Sequence, residues 1–132
     1  MKLEKMRPDQ FRPKPKPMVT FNQNGCITFN KTASERLELV KGDHVSIYFD
    51  KEHASDYFVK KESIGWKLRQ GKHERLLFNC RMLSAQVIEQ TWLCHSRAVD
   101  ATPPKSSCFF VAPLPLDDKK HDNLYALLRK NA

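Results

Sequence analysis

From Met18 onward the chain alternates apolar and polar residues in short runs separated by turn residues. Val19 and Phe21 alternate with polar neighbours, Asn22 to Gly25 supplies a turn, and Ile27 and Phe29 resume the alternation, which predicts a β-hairpin. A short helix should follow. Either Asn30 or Thr32 can cap it, Thr32 and Glu35 have the spacing of a capping box, and Ala33 and Leu37 share a face that Leu39 extends. Lys41-Gly42-Asp43 then reads as a tight turn, and His44 to Asp50 places Val45, Ile47 and Phe49 on one side of a strand.

The same order recurs. After a polar loop, Tyr57 to Lys61 reads as a strand, and Gly65 to Gln70 as another with Trp66 and Leu68 facing one way. Leu-Leu-Phe-Asn at 76–79 then echoes Ile-Thr-Phe-Asn at 27–30, with Phe29 and Phe78 standing 49 positions apart. Asn79 stands where Asn30 stood and is expected to cap a second helix running to about Trp92, with Met82, Leu83, Val87 and Ile88 as its apolar stripe. A loop containing Pro103 and Pro104 leads to a strand over Ser107–Pro115, and Asp122 caps a last amphipathic helix with Leu124, Leu127 and Leu128 on one side. The expected fold class is mainly β with short helices: a barrel-like domain over 18–115 built from two tandem ββαβ half-units, 18–62 and 63–115. A basic proline-rich arm (1–17) precedes it and a helical tail (116–132) follows.

The run Gly25-Cys26-Ile27-Thr28-Phe29-Asn30-Lys31, followed by Leu37, Leu39, Gly42, Asp43 and Val45, resembles the AbrB/MazE-type swapped-hairpin domain, clearest over residues 18–61. The resemblance implies a barrel of interleaved hairpins, closed by two halves of one chain as in double-psi relatives or by two chains. It also implies DNA binding as a bacterial transcription regulator or an antitoxin. The chain departs from the family pattern at Cys26, where an arginine usually follows the glycine, at Asn30 in place of a proline, and at Ser34 in place of a basic residue. A guanidinium grips phosphate or guanine with two parallel bonds, and neither a thiol nor a hydroxyl reproduces that grip.

Charge points the same way. The 132 residues carry 23 Lys and Arg against 15 Asp and Glu, a net charge of +8 that favours acidic partners such as nucleic acid. The arm holds Lys2, Lys5, Arg7, Arg12, Lys14 and Lys16 against Glu4 and Asp9, so half of the excess lies there. Its alternating Pro8, Pro13, Pro15 and Pro17 favour an extended chain that can follow a phosphate backbone, dock in a partner's groove, or simply stay solvated. Candidate phosphate contacts in the folded part are Lys31, Arg36 and Lys41 in the first half, and Lys67, Arg69, Lys72, Arg75 and Arg81 in the second. Arg7, Arg12, Lys14 and Lys16 are the candidates in the arm. The run Gly65 to Arg75 is the strongest candidate of the folded part, because Trp66 is interleaved with its cations on an expected hairpin; the alternative is a solvated hairpin whose Trp66 turns to the core.

Catalysis finds little support. Cys94-His95 are sequence neighbours that point apart on a helix, and His44, His53, His73 and His121 are isolated. Asp117-Asp118 sit beside Lys119-Lys120, and the four glycines form no phosphate loop. The four cysteines are irregularly spaced and read as free, buried thiols of a reducing compartment. No cofactor or metal is expected. With no apolar run near the roughly 20 residues of a membrane span and no signal-like leader, the expectation is a cytoplasmic monomer or homodimer. The alternative to DNA is a protein partner of a phage or mobile element, held by the arm or by Leu124, Tyr125, Leu127 and Leu128 of the expected C-terminal helix.

Overall fold

A computed structural model describes residues 1–8, 15–53, 55–95, 103–117 and 120–130. The chain runs β1 (Met18–Asn22), β2 (Cys26–Phe29), α1 (Lys31–Arg36), β3 (His44–Phe49), β4 (Tyr57–Lys61), β5 (Trp66–Lys67), β6 (Arg69–Gln70), β7 (Leu76–Asn79), α2 (Arg81–His95), β8 (Ser106–Val111) and β9 (Leu124–Arg129). Among the described residues nine strands form one sheet in the order β5-β3-β4-β9-β8-β1-β2-β7-β6. Its two end strands, β5 and β6, are separated in sequence only by Leu68. One segment therefore touches both edges, and the sheet curls into a nearly closed barrel. Leu68 bridges the gap, its N–H donating to Asp43 O at 2.8 Å and its carbonyl accepting from Gly42 N–H at 2.9 Å.

Closure follows from the alternation in the sequence. Val19, Phe21, Ile27, Phe29, Val45 and Val59 are fully buried, and Leu68, Phe78, Phe109 and Val111 nearly so; each such side chain contributes about 1.5–3 kcal/mol relative to exposure. The rings interlock: Phe21 meets Phe109 edge-on at 5.5 Å, Tyr57 meets Phe109 at 6.0 Å, and Trp66 stacks on Phe78 at 5.1 Å. Strands β1 and β9 each lie between two neighbours. Neither β1 nor β9 thus offers an open edge for pairing with a second chain.

Both helices begin where a strand ends, but by different means. Asn30 caps α1: its Oδ1 accepts from Ala33 N–H at 2.8 Å and Met18 N–H at 3.0 Å, while its Nδ2 donates to Lys16 O. In α2 the first intrahelical bond runs from Ser84 N–H to Cys80 O, and Asn79 stays in β7 opposite Cys26. The expected Asn79 cap is therefore corrected, because β7 runs one residue past Phe78 whereas β2 ends at Phe29. The buried face of α2 carries Ser84, Val87 and Ile88, whereas Met82, expected on the stripe, is exposed. Ser84 is fully buried because its hydroxyl donates to Asn22 O.

The expected C-terminal helix is also corrected. Leu124–Arg129 is strand β9, hydrogen-bonded between β4 and β8. Asn123, in the left-handed region at φ 59°, makes the turn into it. Two registers frame the barrel on opposite sides. In β2–β7, Ile27 faces Phe78, Thr28 faces Leu77 and Phe29 faces Leu76; in β4–β9, Phe58 faces Ala126, Val59 faces Tyr125 and Lys60 faces Leu124. No helix among the described residues is long and apolar enough to cross a membrane.

Candidate nucleic-acid interface

The strand pair β2–β7 carries a hairpin turn at each end. Asn22–Gly25 joins β1 to β2 and packs on the start of α2; a Cβ on Gly25, which has φ +96°, would lie 2.9 Å from Arg81 Cα. Gly71–Arg75 joins β6 to β7 and reaches the start of α1, where Glu74 pairs with Lys31 at 3.0 Å. Each hairpin thus touches the helix that follows the other hairpin.

This arrangement sorts the eight predicted cations of the folded part. Arg36 is structural, its guanidinium donating to Val111 O at 2.8 Å and tying α1 to β8. Lys31 is held by Glu74, whose hydrogen bond and charge raise the lysine's pKa above its ordinary value. Lys41, Lys67, Arg69, Lys72, Arg75 and Arg81 are exposed and make no ion pair or side-chain hydrogen bond with the described residues. Lys67 and Arg69 flank buried Leu68, so alternation along the strand turns both outward while Leu68 fills the barrel. Trp66, half-buried on Phe78, belongs to the core side and is not offered for base stacking.

Two open depressions lie beside the turns. One, of about 620 Å³, is lined by Asn22, Gln23, Asn24, Arg81 and Lys105, with no carboxylate. The other, of about 550 Å³, sets Lys31 and Lys41 against Glu35, Glu38 and Glu74, which leaves it no net positive charge. Lys105 is the one lining cation that sequence reasoning missed; it sits after a Pro-Pro pair in a loop that carried no periodic signal. Its position is fixed by a backbone bond from Gln23 N–H to Lys105 O at 2.8 Å.

The remaining candidates divide. In the arm, Arg7 is exposed, Arg12 and Lys14 lie outside the described residues, and Lys16 stands 5.2 Å from the ring centre of Phe110. Pro17 is buried with its carbonyl accepting from Val111 N–H, so the arm joins the barrel before Met18. Of the four residues expected on a C-terminal partner helix, Leu124 and Leu127 are buried, Tyr125 packs against the core and only Leu128 is exposed. That expected docking surface is corrected with the helix. Cys26, Cys80 and Cys108 are half-buried free thiols and Cys94 is exposed, so the expectation of four buried thiols does not hold. Trp92 lines a cleft of mixed character with Ile88, Pro103, Pro104, Gln23 and Glu89. Among the described residues no three His, Cys, Asp or Glu side chains gather as metal ligands would.

No family model, curated protein or solved structure matches the chain.

Proposed function

We propose that the chain is a non-enzymatic DNA-binding protein whose barrel is a fused pair of half-units, each ββαββ, with an internal twofold relation replacing the symmetry of a dimer. The duplication is supported by the pairing registers. Moving each residue of the first half to its counterpart in the second exchanges Ile27–Phe78 with Leu76–Phe29 and leaves Thr28–Leu77 in place. On the far side, where counterparts stand 66 residues apart, it exchanges Phe58–Ala126 with Leu124–Lys60 about Val59–Tyr125, and the two shifts together carry His44–Lys67 onto Phe110–Met18. It also carries Thr20–Thr28 and Phe21–Ile27 onto Arg69–Leu77 and Gln70–Leu76. A fused pair of this kind is a monomer that supplies both halves of an AbrB-like barrel, and its place is the cytoplasm.

The observation that carries the DNA reading is the set of exposed, unpaired cations between Lys67 and Arg81. Lys67, Arg69, Lys72, Arg75 and Arg81 face solvent with Glu74 as the only acid among them, and Glu74 is already engaged by Lys31. Between Asp43 and Glu62, by contrast, five carboxylates outnumber three lysines. The excess of cations over acids within the 67–81 segment gives it a net positive charge that attracts a polyanion. The protein-partner alternative loses its main support because the apolar residues of the C-terminus are used by the sheet.

The test is titration of a labelled duplex followed by fluorescence anisotropy at several salt concentrations. Four phosphate contacts predict a slope of about −3.6 in log affinity against log salt, and hence a loss of roughly 150-fold between about 50 and 200 mM. Absence of duplex binding at the lowest salt removes the proposal.

A further inference from the structure

We infer that the two hairpins, alike in strand register, are unlike in ligand: only the second, Trp66–Asn79, grips the phosphate chain, so the barrel engages DNA from one side and not as a palindrome reader. This rests on the DNA-binding reading above and on the half-unit correspondence.

At matching positions the first hairpin carries Met18, Thr20, Gln23, Asn24 and Cys26, and the second carries Lys67, Arg69, Lys72, His73 and Arg75. Four neutral positions have become permanent cations on the same framework. The difference extends to what the side chains do. In the first hairpin the polar groups are consumed locally: Asn22 Nδ2 donates to Cys26 O, Asn24 Oδ1 accepts from Cys26 N–H, and Thr20 Oγ1 meets Cys108 Sγ at 3.6 Å. In the second, Lys67, Arg69, Lys72 and Arg75 have no partner among the described residues.

Clustered like charges repel, and a polyanion relieves that repulsion. The second hairpin is also anchored to the barrel beside its cations. Trp66 is stacked on Phe78, and Leu68 is buried with its N–H and carbonyl both bonded to the Gly42–Asp43 turn. Cations carried on the outward side of such a strand start from a backbone the barrel already fixes, so that binding orders their side chains alone.

Beside the first hairpin the nearest cations, Arg81 and Lys105, come from α2 and the loop before β8. They provide the internal comparison. A triple variant, Arg69→Ala/Lys72→Ala/Arg75→Ala, is compared with Arg81→Ala/Lys105→Ala by anisotropy against a labelled duplex. Circular dichroism confirms that each is folded, and Lys67→Glu/Lys72→Glu serves as a second perturbation of the same hairpin.

The triple variant is expected to reduce the steepness of the salt dependence by about 2.7, at about 0.9 per phosphate lost, and to weaken binding at least 30-fold at low salt. The Arg81/Lys105 pair is expected to change affinity by less than threefold. Equal losses in the two variants, or a greater loss in the second, overturn the asymmetry while leaving DNA binding in place. A wild-type protein that binds no duplex overturns the reading beneath it instead.

Discussion

Leu68 is a single residue between two short strands, yet closure of the barrel depends on it. It is 1% exposed, and it spans the gap between β5, paired to β3, and β6, paired to β7. Leu68→Ala removes buried methyl groups where the wall is held only by two-residue strands. Large-to-small core substitutions of this kind cost about 2–5 kcal/mol, and partial relaxation around the cavity decides where in that range a site falls. A short closing segment adjusts more readily than the middle of a long strand, so the expected cost is about 3 kcal/mol. The control is Leu77→Ala, a half-buried residue of neighbouring β7 whose side chain faces outward opposite Thr28. It should cost about 1 kcal/mol or less. Urea unfolding followed by tryptophan fluorescence reports the difference. For a slope of about 2 kcal/mol per molar, the Leu68 variant should shift the midpoint down by roughly 1.5 M and the Leu77 variant by under 0.5 M. Equal midpoints for the two variants would refute the argument that Leu68 seals the sheet.

Gly25→Ala should destabilise by about 2 kcal/mol or more, since it adds a Cβ at φ +96° and 2.9 Å from Arg81 Cα; thermal melting checks it against Gly42→Ala, which shares the φ but meets no atom within 4 Å. Asn30→Ala, which removes the α1 cap and the bonds to Met18 N–H and Lys16 O, should cost about 1–2 kcal/mol and expose the Lys16–Met18 junction to limited proteolysis. The Val40 N–H bond to Asp43, aided by Lys61 at 3.3 Å, lowers the pKa of Asp43 against a smaller opposing effect of burial. A depressed carboxylate contributes stability that is present above its unfolded pKa of about 3.9 and is lost as pH falls through the folded value. Urea midpoints should therefore fall less steeply with pH below about 4 in Asp43→Asn than in wild type.

The strands of the first half and the Phe-Asn echo were legible because each apolar run is short, strictly alternating and closed by turn residues that act through local geometry. Val19, Phe21, Ile27 and Phe29 read as one face and are one face. The C-terminus misled for a physical reason. Leu124, Leu127 and Leu128 have helical spacing, but β9 buries a leucine on each side: Leu127 faces the barrel, and Leu124 is buried at the start of the opposite face, where Leu116 N–H bonds its carbonyl at 2.7 Å. A strand apolar on both faces loses its alternation and cannot be told from a helix by period alone.

The charge of the candidate interface was legible and its distribution was not. Sequence reading gathered Lys31, Arg36, Lys41, Lys67, Arg69, Lys72, Arg75 and Arg81 as candidates and favoured the Gly65–Arg75 run for its interleaved Trp66, but a cation's type carries no information about its partner. Two of them are engaged within the protein: Arg36 by a carbonyl 75 residues away and Lys31 by Glu74. What separates the others is the pairing of β6 with β7, which places Arg69 opposite Leu77 on the outer surface beside the Lys72–Arg75 turn. Thr20, at the corresponding place in β1, faces Thr28 and carries no charge. Corresponding strand pairs with different side chains separate strand geometry from charge as the source of affinity. If geometry dominated, both hairpins would contribute to binding; if charge dominates, loss of Arg69, Lys72 and Arg75 removes most of the salt-dependent affinity while the barrel keeps its stability.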